Sequence, residues 1–384
     1  MLAAGLLLSG CAGGAATGGG SPTGGDVITV SASACGTGWQ HPAPGLQTLQ
    51  IHNASSSAIE VALISSSTGA VYARVEGLGP GTTQPMQVDL GSGSYAFDCS
   101  DGNYDYADQI GPAYRVPGNV RGGPGVIPVS YSQTLAATQQ ARSYVISGLA
   151  TEVQQAARLA ADITSGDAAD AKSAWLTAHL TWEKLGSAYG MFGNYDDEID
   201  GFPFGLAGGV SDPNFTGFYR IEYGLWHGQP AAELTGPADQ LVANVKSLIT
   251  AYPSMELPPP QQLADLALRT HEILENAMRF QISGQADFGS GTTLATTAAG
   301  ITATQTQLAM LQPMLASRDP NLPSLHTWLD RLQSLINAEQ TSSGWTPAAD
   351  LSTVQRANID AAAGQTLELL SALPVIFEAE RLIP

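Results

Sequence analysis

The hydrophobic period of this chain changes once. Before about Pro117 apolar residues alternate or gather in short β-branched runs, and after Ser130 they recur every three or four residues. A two-residue period buries one face of a strand, and a 3.6-residue period buries one stripe of a helix. One segment cannot serve both, so the chain must fold as a β unit followed by a helical unit. The join, GPAYRVPGNVRGGPGVIPVS, is rich in Pro and Gly that suit neither element. The expected architecture is an all-β sandwich over residues 26–117, a linker over 118–130 and an all-α bundle over 131–384.

In the first unit DVITVSAS, LQTLQIHNAS, AIEVALISS, AVYARVEGL, TQPMQVDL and GSYAFDCSD read as strands separated by Gly, Ser, Asn and Pro turns. Short strands at this spacing make a sandwich. In the second, runs such as SQTLAATQQARSYVISGLATEVQQAARLAADI and LPSLHTWLDRLQSLINAEQ keep the helical period, with Pro, Gly or Asp near most of their ends. They predict an antiparallel bundle, doubled in the length available, with any site between facing helices.

The first eleven residues, MLAAGLLLSGC, resemble a bacterial lipobox, in which Cys11 would become the lipid-bearing N-terminus. The GGAATGGGSPTGGD that follows suits a flexible tether, so 1–25 reads as signal and tether. No later stretch reads as a bilayer span. An exported protein, anchored to the membrane by lipid, is therefore expected. A net charge of −19 with only three lysines (Lys172, Lys184, Lys246) excludes nucleic acid as a partner and favours cations.

The richest chemistry lies between Ala178 and Gly228. In WLTAHLTWEKLGSAYG the residues Trp175, Ala178, Trp182, Leu185 and Tyr189 form an aromatic stripe, with His179 and Glu183 four apart beside it. In GFYRIEYGLWHG the apolar line is Phe218, Ile221 and Leu225, with Tyr219 and Glu222 along its edge. A Gly/Pro/Asp-rich loop containing Asp196, Asp197, Glu198 and Asp200 connects them, and a loop of this length in a compact domain usually serves function. Carboxylates from two helices and a loop can converge on one cation.

These segments, TAHLTWEKLGSAYG, EIDG and FTGFYRIEYGLWHG, with RTHEILENAMRFQISG further on, resemble the imelysin-like domain of EfeO-type iron-uptake lipoproteins. The resemblance covers about the last two-thirds of the chain. It implies metal ligands at Glu183, Asp200, Tyr219, Glu222 and Glu275; by their spacing His179, four before Glu183, and His271 and Glu272, beside Glu275, read as supporting residues, the last two equally as solvent-facing. The family's HxxE motif reads YRIE here, so Tyr219 stands in the place of its His. A phenolate joined to carboxylates makes a hard, oxygen-rich site that favours ferric iron. The family further implies an iron permease and a haem peroxidase as partners in an EfeUOB system.

The order of the first unit resembles the cupredoxin-like domain of the same proteins. A blue-copper site needs a Cys, two His and usually an axial Met, yet SDGNYDYADQ after Cys99 has neither His nor Met. With Cys11 lipidated, Cys35 and Cys99 remain as an even pair in an oxidising compartment, and a disulfide is the leading assignment. The alternative, suggested by the family, is copper held by these cysteines and Glu60. Two other functions compete with iron uptake: a zinc peptidase, disfavoured because no HExxH occurs, and a calcium-bridged binder of anionic polymers. A non-enzymatic role is expected. No GxSxG elbow occurs, and the Gly-rich runs lack the strand and helix context of a phosphate loop.

Overall fold

The computed structural model describes residues 27–377 apart from 32, 101–108, 256 and 343. Cys11 and its tether lie outside the described residues. Contacts divide the chain between Ile127 and Pro128 into two units.

In the first unit β1 (Val27–Ser31), β2 (Ala34–Thr37), β3 (Gly45–Asn53) and β6 (Thr83–Leu90) form one sheet in the order β2-β1-β3-β6, with β1 parallel to β3. A second sheet follows the order β5-β4-β7-β8, from β4 (Ile59–Ser65), β5 (Val71–Leu78), β7 (Gly93–Ser100) and β8 (Gln109–Ile110), and β9 (Tyr114–Val116) also pairs with β7. Period-two burial produces the core: Met86, Val88 and Leu90 of β6 point inward with Ile28, Val30, Ile51, Val61, Leu63 and Phe97. Pro85 is tolerated because β6 ends its sheet, where a missing N–H costs no ladder bond on the open side. Cys35 of β2 and Cys99 of β7 form a disulfide that staples the two sheets together. Their thiolates are thereby consumed, and Glu60 pairs with Arg74 at 2.9 Å.

The second unit contains α1 (Tyr131–Ser165), α2 (Ala168–Lys184), α3 (Asn194–Asp200), α4 (Gly217–Trp226), α5 (Ala231–Ala251), α6 (Pro259–Asn276), α7 (Thr293–Leu315), α8 (Leu322–Asn337), α9 (Thr353–Leu370) and α10 (Ala372–Ile376). α6 runs on into a π-helical turn, Ala277–Ile282. A capping box of Ser130 and Gln133 starts α1, and Asp167 caps α2 through the amides of Ala169 and Asp170. Two apolar cores result. α1 to α5 enclose one around Trp175, Trp182, Phe218 and Leu241, while α6 to α10 enclose the other around Leu274, Leu308, Leu329 and Leu370.

The structure departs from the sequence reading at three places. The α2 stripe was expected to reach Tyr189, but α2 ends at Lys184, and Tyr189 is exposed with φ 44°. Gly186, at φ 76° in the left-handed region that favours glycine, turns the chain just past the helix end. The connecting loop contains a helix of its own, α3. Finally, the helical stretch Thr353–Ile376 is long and apolar enough to cross a membrane by length and composition. Its Ile359, Ala362, Leu370 and Leu373 are buried in the second core.

Candidate metal centre

Three short helices deliver the side chains of the predicted site. On α2 the stripe Trp175, Ala178 and Trp182 is buried, which turns the neighbouring edge bearing His179 and Glu183 toward α3 and α4. The Trp175 Nε1–H donates to the Phe218 carbonyl at 2.8 Å and locks α2 to α4. α3 ends on Asp200, and α4 begins at Gly217, tight against the end of α3. Tyr219 and Glu222, three apart on α4, are thus carried to the same place, both buried.

His179 is the centre of the group. Its Nε2 lies 3.2 Å from Asp200 Oδ1 and 3.3 Å from Glu183 Oε1, and one ligand atom from each of the three lies within 4.8 Å of the others. The Tyr219 ring meets the imidazole edge-on at 5.2 Å. Glu222 Oε1 accepts from the amides of Phe288 (3.1 Å) and Ser290 (3.0 Å), which aims the carboxylate. Phe202 stacks on Tyr219 at 4.8 Å, and Phe280 and Phe288 close the aromatic wall. Glu183 and Asp200 each keep a small exposed edge, with side chains 12% and 18% accessible, so a small ion has a way in.

Among the described residues, His179 Nδ1 and Glu222 Oε2 are buried with no hydrogen-bond partner, His179 Nε2 and Asp200 Oδ1 meet only within the ion pairs of the cluster, and Tyr219 Oη has only the Gln281 side chain beside it. Buried polar atoms are normally satisfied, and a concentration of orphans at one spot marks a missing electrostatic partner. Burial raises Asp200 to about 7 against the pull of His179, and raises Glu222 to about 7 against its bonds from Ser290. Burial alone would lower His179, but the Asp200 and Glu183 carboxylates reverse it and raise the imidazole to about 10. Burial, reinforced by Asp200, Glu183 and Glu222, pushes Tyr219 well above 10, so on these residues alone it is a phenol. Only the Gln281 side chain beside it favours the phenolate.

Of the residues expected as ligands, Glu183 and Asp200 fall into one group with His179, Tyr219 packs against that group through the imidazole, and Glu222 is buried three residues on along α4, outside the 4.8 Å group. Glu275 does not join them: its side chain is half exposed, and it faces His271 at 3.9 Å. Glu272 pairs instead with Arg269 at 2.8 Å. His179, expected in a supporting position, sits among the carboxylates. Asp196 braces the preceding turn, accepting from Ser187 Oγ and the Phe192 amide, and burial raises it to about 6. Sequence reading missed Glu152 of α1, which is fully buried with both oxygens unpartnered; burial raises it to about 8, against the attraction of His179. Its signal was an acid in the apolar stripe Val145, Leu149, Ala156 and Leu159. A cavity of about 340 Å³ lined by Val145, Leu185, Met191, Tyr252 and Arg269 contains none of the clustered residues.

This helical unit matches the sequence profile "Peptidase_M75: Imelysin" over residues 137–373, more than half of the chain. The chain belongs to the imelysin family. Among curated proteins, this imelysin-family chain is similar to "Iron uptake system component EfeO" of Escherichia coli O1:K1, E. coli K12 and Shigella flexneri. Each is 24% identical over 251 residues, which cover 64% of this chain and 63% of the relative. The match thus spans a little under two-thirds of those relatives' length. Among solved structures, a "putative iron-regulated protein A precursor" from Parabacteroides distasonis aligns with TM-score 0.49 and 12% identity, covering 65% of this chain and 96% of its own.

Proposed function

We propose that this protein is the extracytoplasmic iron-binding component of an EfeUOB-type uptake system. It captures iron at the cluster of His179, Glu183 and Asp200, completed by Tyr219 and Glu222, and passes it to a membrane permease alongside a haem peroxidase. The observation that carries this reading is the group of three potential ligand atoms within 4.8 Å of one another, set among buried oxygens that lack partners. Hard carboxylate and phenol oxygens suit iron in its ferric form, and one imidazole is compatible with either oxidation state. The similarity to EfeO proteins supports the same conclusion.

In this reading Cys11 carries the lipid that keeps the protein at the membrane, and the β unit is a cupredoxin-like sandwich stapled by its cysteines. Peptidase activity is not part of the proposal, because the sequence has no HExxH pair. The test is elemental analysis of protein purified without added metal, followed by calorimetric titration with ferric citrate. We expect about one iron per chain, and a loss of affinity of at least roughly tenfold in Asp200→Asn, as even groups that only support a metal's ligands carry 10–100-fold. Full-strength iron binding by Asp200→Asn would remove the cluster from consideration.

A further inference from the structure

Glu152 interrupts an otherwise apolar stripe. Val145, Leu149, Ala156 and Leu159 of α1 line the first helical core, and Glu152 stands between them, fully buried. Neither of its carboxylate oxygens has a hydrogen-bond partner. A carboxylate in that condition is strongly unfavourable in a core unless a cation compensates it. α1 packs along α2, the helix that carries His179 and Glu183, and the charged groups acting on Glu152 are His179, which attracts it, and Asp200, which repels it. Both belong to the three-residue cluster on α2 and α3.

We infer that Glu152 is the residue that sets the charge of the cation this centre prefers, a further carboxylate delivered from α1 that favours a trivalent over a divalent ion. The inference rests on the cation-binding reading above. Coulomb attraction scales with the product of the charges, so one more carboxylate stabilises a trivalent ion half again as strongly as a divalent ion in the same position. The cost of burying the acid is the same for both ions. Glu152 therefore widens the gap between them through its charge, from outside the three-residue group. Its single negative charge is the active feature, because the neighbouring stripe positions are aliphatic and would accept Leu by packing alone.

The experiment uses the full chain and two redox-inert probes, gallium(III) supplied as citrate and zinc(II), titrated by calorimetry into wild type, Glu152→Gln and Glu152→Asp. Glu152→Gln is expected to weaken gallium binding by roughly 10–100-fold, the range seen for groups that support a metal's ligands, and zinc by a smaller factor. Glu152→Asp keeps the charge and should retain most of the gallium preference. Metal-free Glu152→Gln should melt at or above wild type, since it removes an acid that must take up a proton to be buried. Unchanged gallium affinity in Glu152→Gln, an equal loss for both ions, or a lower melting temperature of the metal-free variant would each overturn the inference while leaving the cation site standing. Failure of wild type to bind either probe would instead bring down the cation-binding reading, and this inference with it.

Discussion

The backbone of Gly217 runs so close to α3 that a Cβ on it would lie 2.1 Å from the Ile199 carbonyl oxygen. Gly217 also has φ 74°, the left-handed region that side chains disfavour. Together these let α4 start directly against the end of α3, the helix that ends on Asp200, so that Tyr219 packs on the His179 imidazole beside it. Gly217→Ala must either push the helices apart or hold a strained backbone. We expect about 1–3 kcal/mol of destabilisation, read by urea unfolding, together with weaker iron binding. A variant as stable as wild type would show that the junction tolerates a side chain.

The two periods of the sequence were enough to read the apolar faces in both units, because burial on a strand or helix is local geometry. Met86, Val88 and Leu90, or Phe218, Ile221 and Leu225, sit inside for reasons visible within a few residues. The acidic pairs were only half legible. Four-residue spacing puts both His179 with Glu183 and His271 with Glu275 on single faces, but which face meets other acids is decided by how helices pack. α2 turns its pair inward, and α6 leaves Glu275 half exposed. α2 ends just before Gly186, a local left-handed C-terminal signal that the aromatic stripe was read past, so Tyr189 was misplaced. Glu152 stood out locally as an acid in an apolar stripe, but that it is buried against α2 depends on how the helices pack.

Acidity should stabilise the metal-free protein. Burial raises Glu152 from 4.5 to about 8, Asp200 from 3.8 to about 7 and Glu222 from 4.5 to about 7. An acid whose folded pKa is raised contributes stability that is present below its unfolded value and is lost as pH rises through the folded value. The raised imidazole of His179 acts in the same direction, with stability lost as pH rises through about 10. Chelator-treated protein should therefore be more resistant to urea at pH 5 than at pH 8, and Glu152→Gln should flatten the difference. Identical pH slopes for wild type and Glu152→Gln would contradict the buried, uncompensated state of that acid.

The Cys35–Cys99 bond closes a loop with a sequence separation of 64 and joins opposite sheets. Removing a native disulfide from a small domain costs roughly 2–5 kcal/mol. Cys35→Ser with Cys99→Ser should lower the unfolding free energy of the β unit by that amount. The helical unit has cores of its own, so its melting and its iron binding should not change. Mass spectrometry of unreduced protein should find neither thiol alkylated, and capture of both by alkylation would refute the bond in solution.

Tyr219 offers the sharpest spectroscopic test of the centre. Its Oη is buried, with only the Gln281 side chain beside it, and is surrounded by the charges of Asp200, Glu183 and Glu222, which hold it as a phenol until a stronger charge arrives. A trivalent ion beside three carboxylates reverses that balance, because a hard Lewis acid lowers the pKa of the oxygen it binds. The phenolate should then coordinate, and ferric loading should produce a visible charge-transfer band that Tyr219→Phe lacks. The same substitution removes a buried hydroxyl that has only Gln281 beside it, so the metal-free variant should be at least as stable as wild type, by up to about 1–3 kcal/mol. A ligand role thus predicts opposite signs: unchanged or higher stability without metal, and weaker ferric binding with it. Titration with ferric citrate while recording the visible spectrum separates the cases. Equal affinity and equal spectra in wild type and Tyr219→Phe would leave iron binding to His179 and the carboxylates.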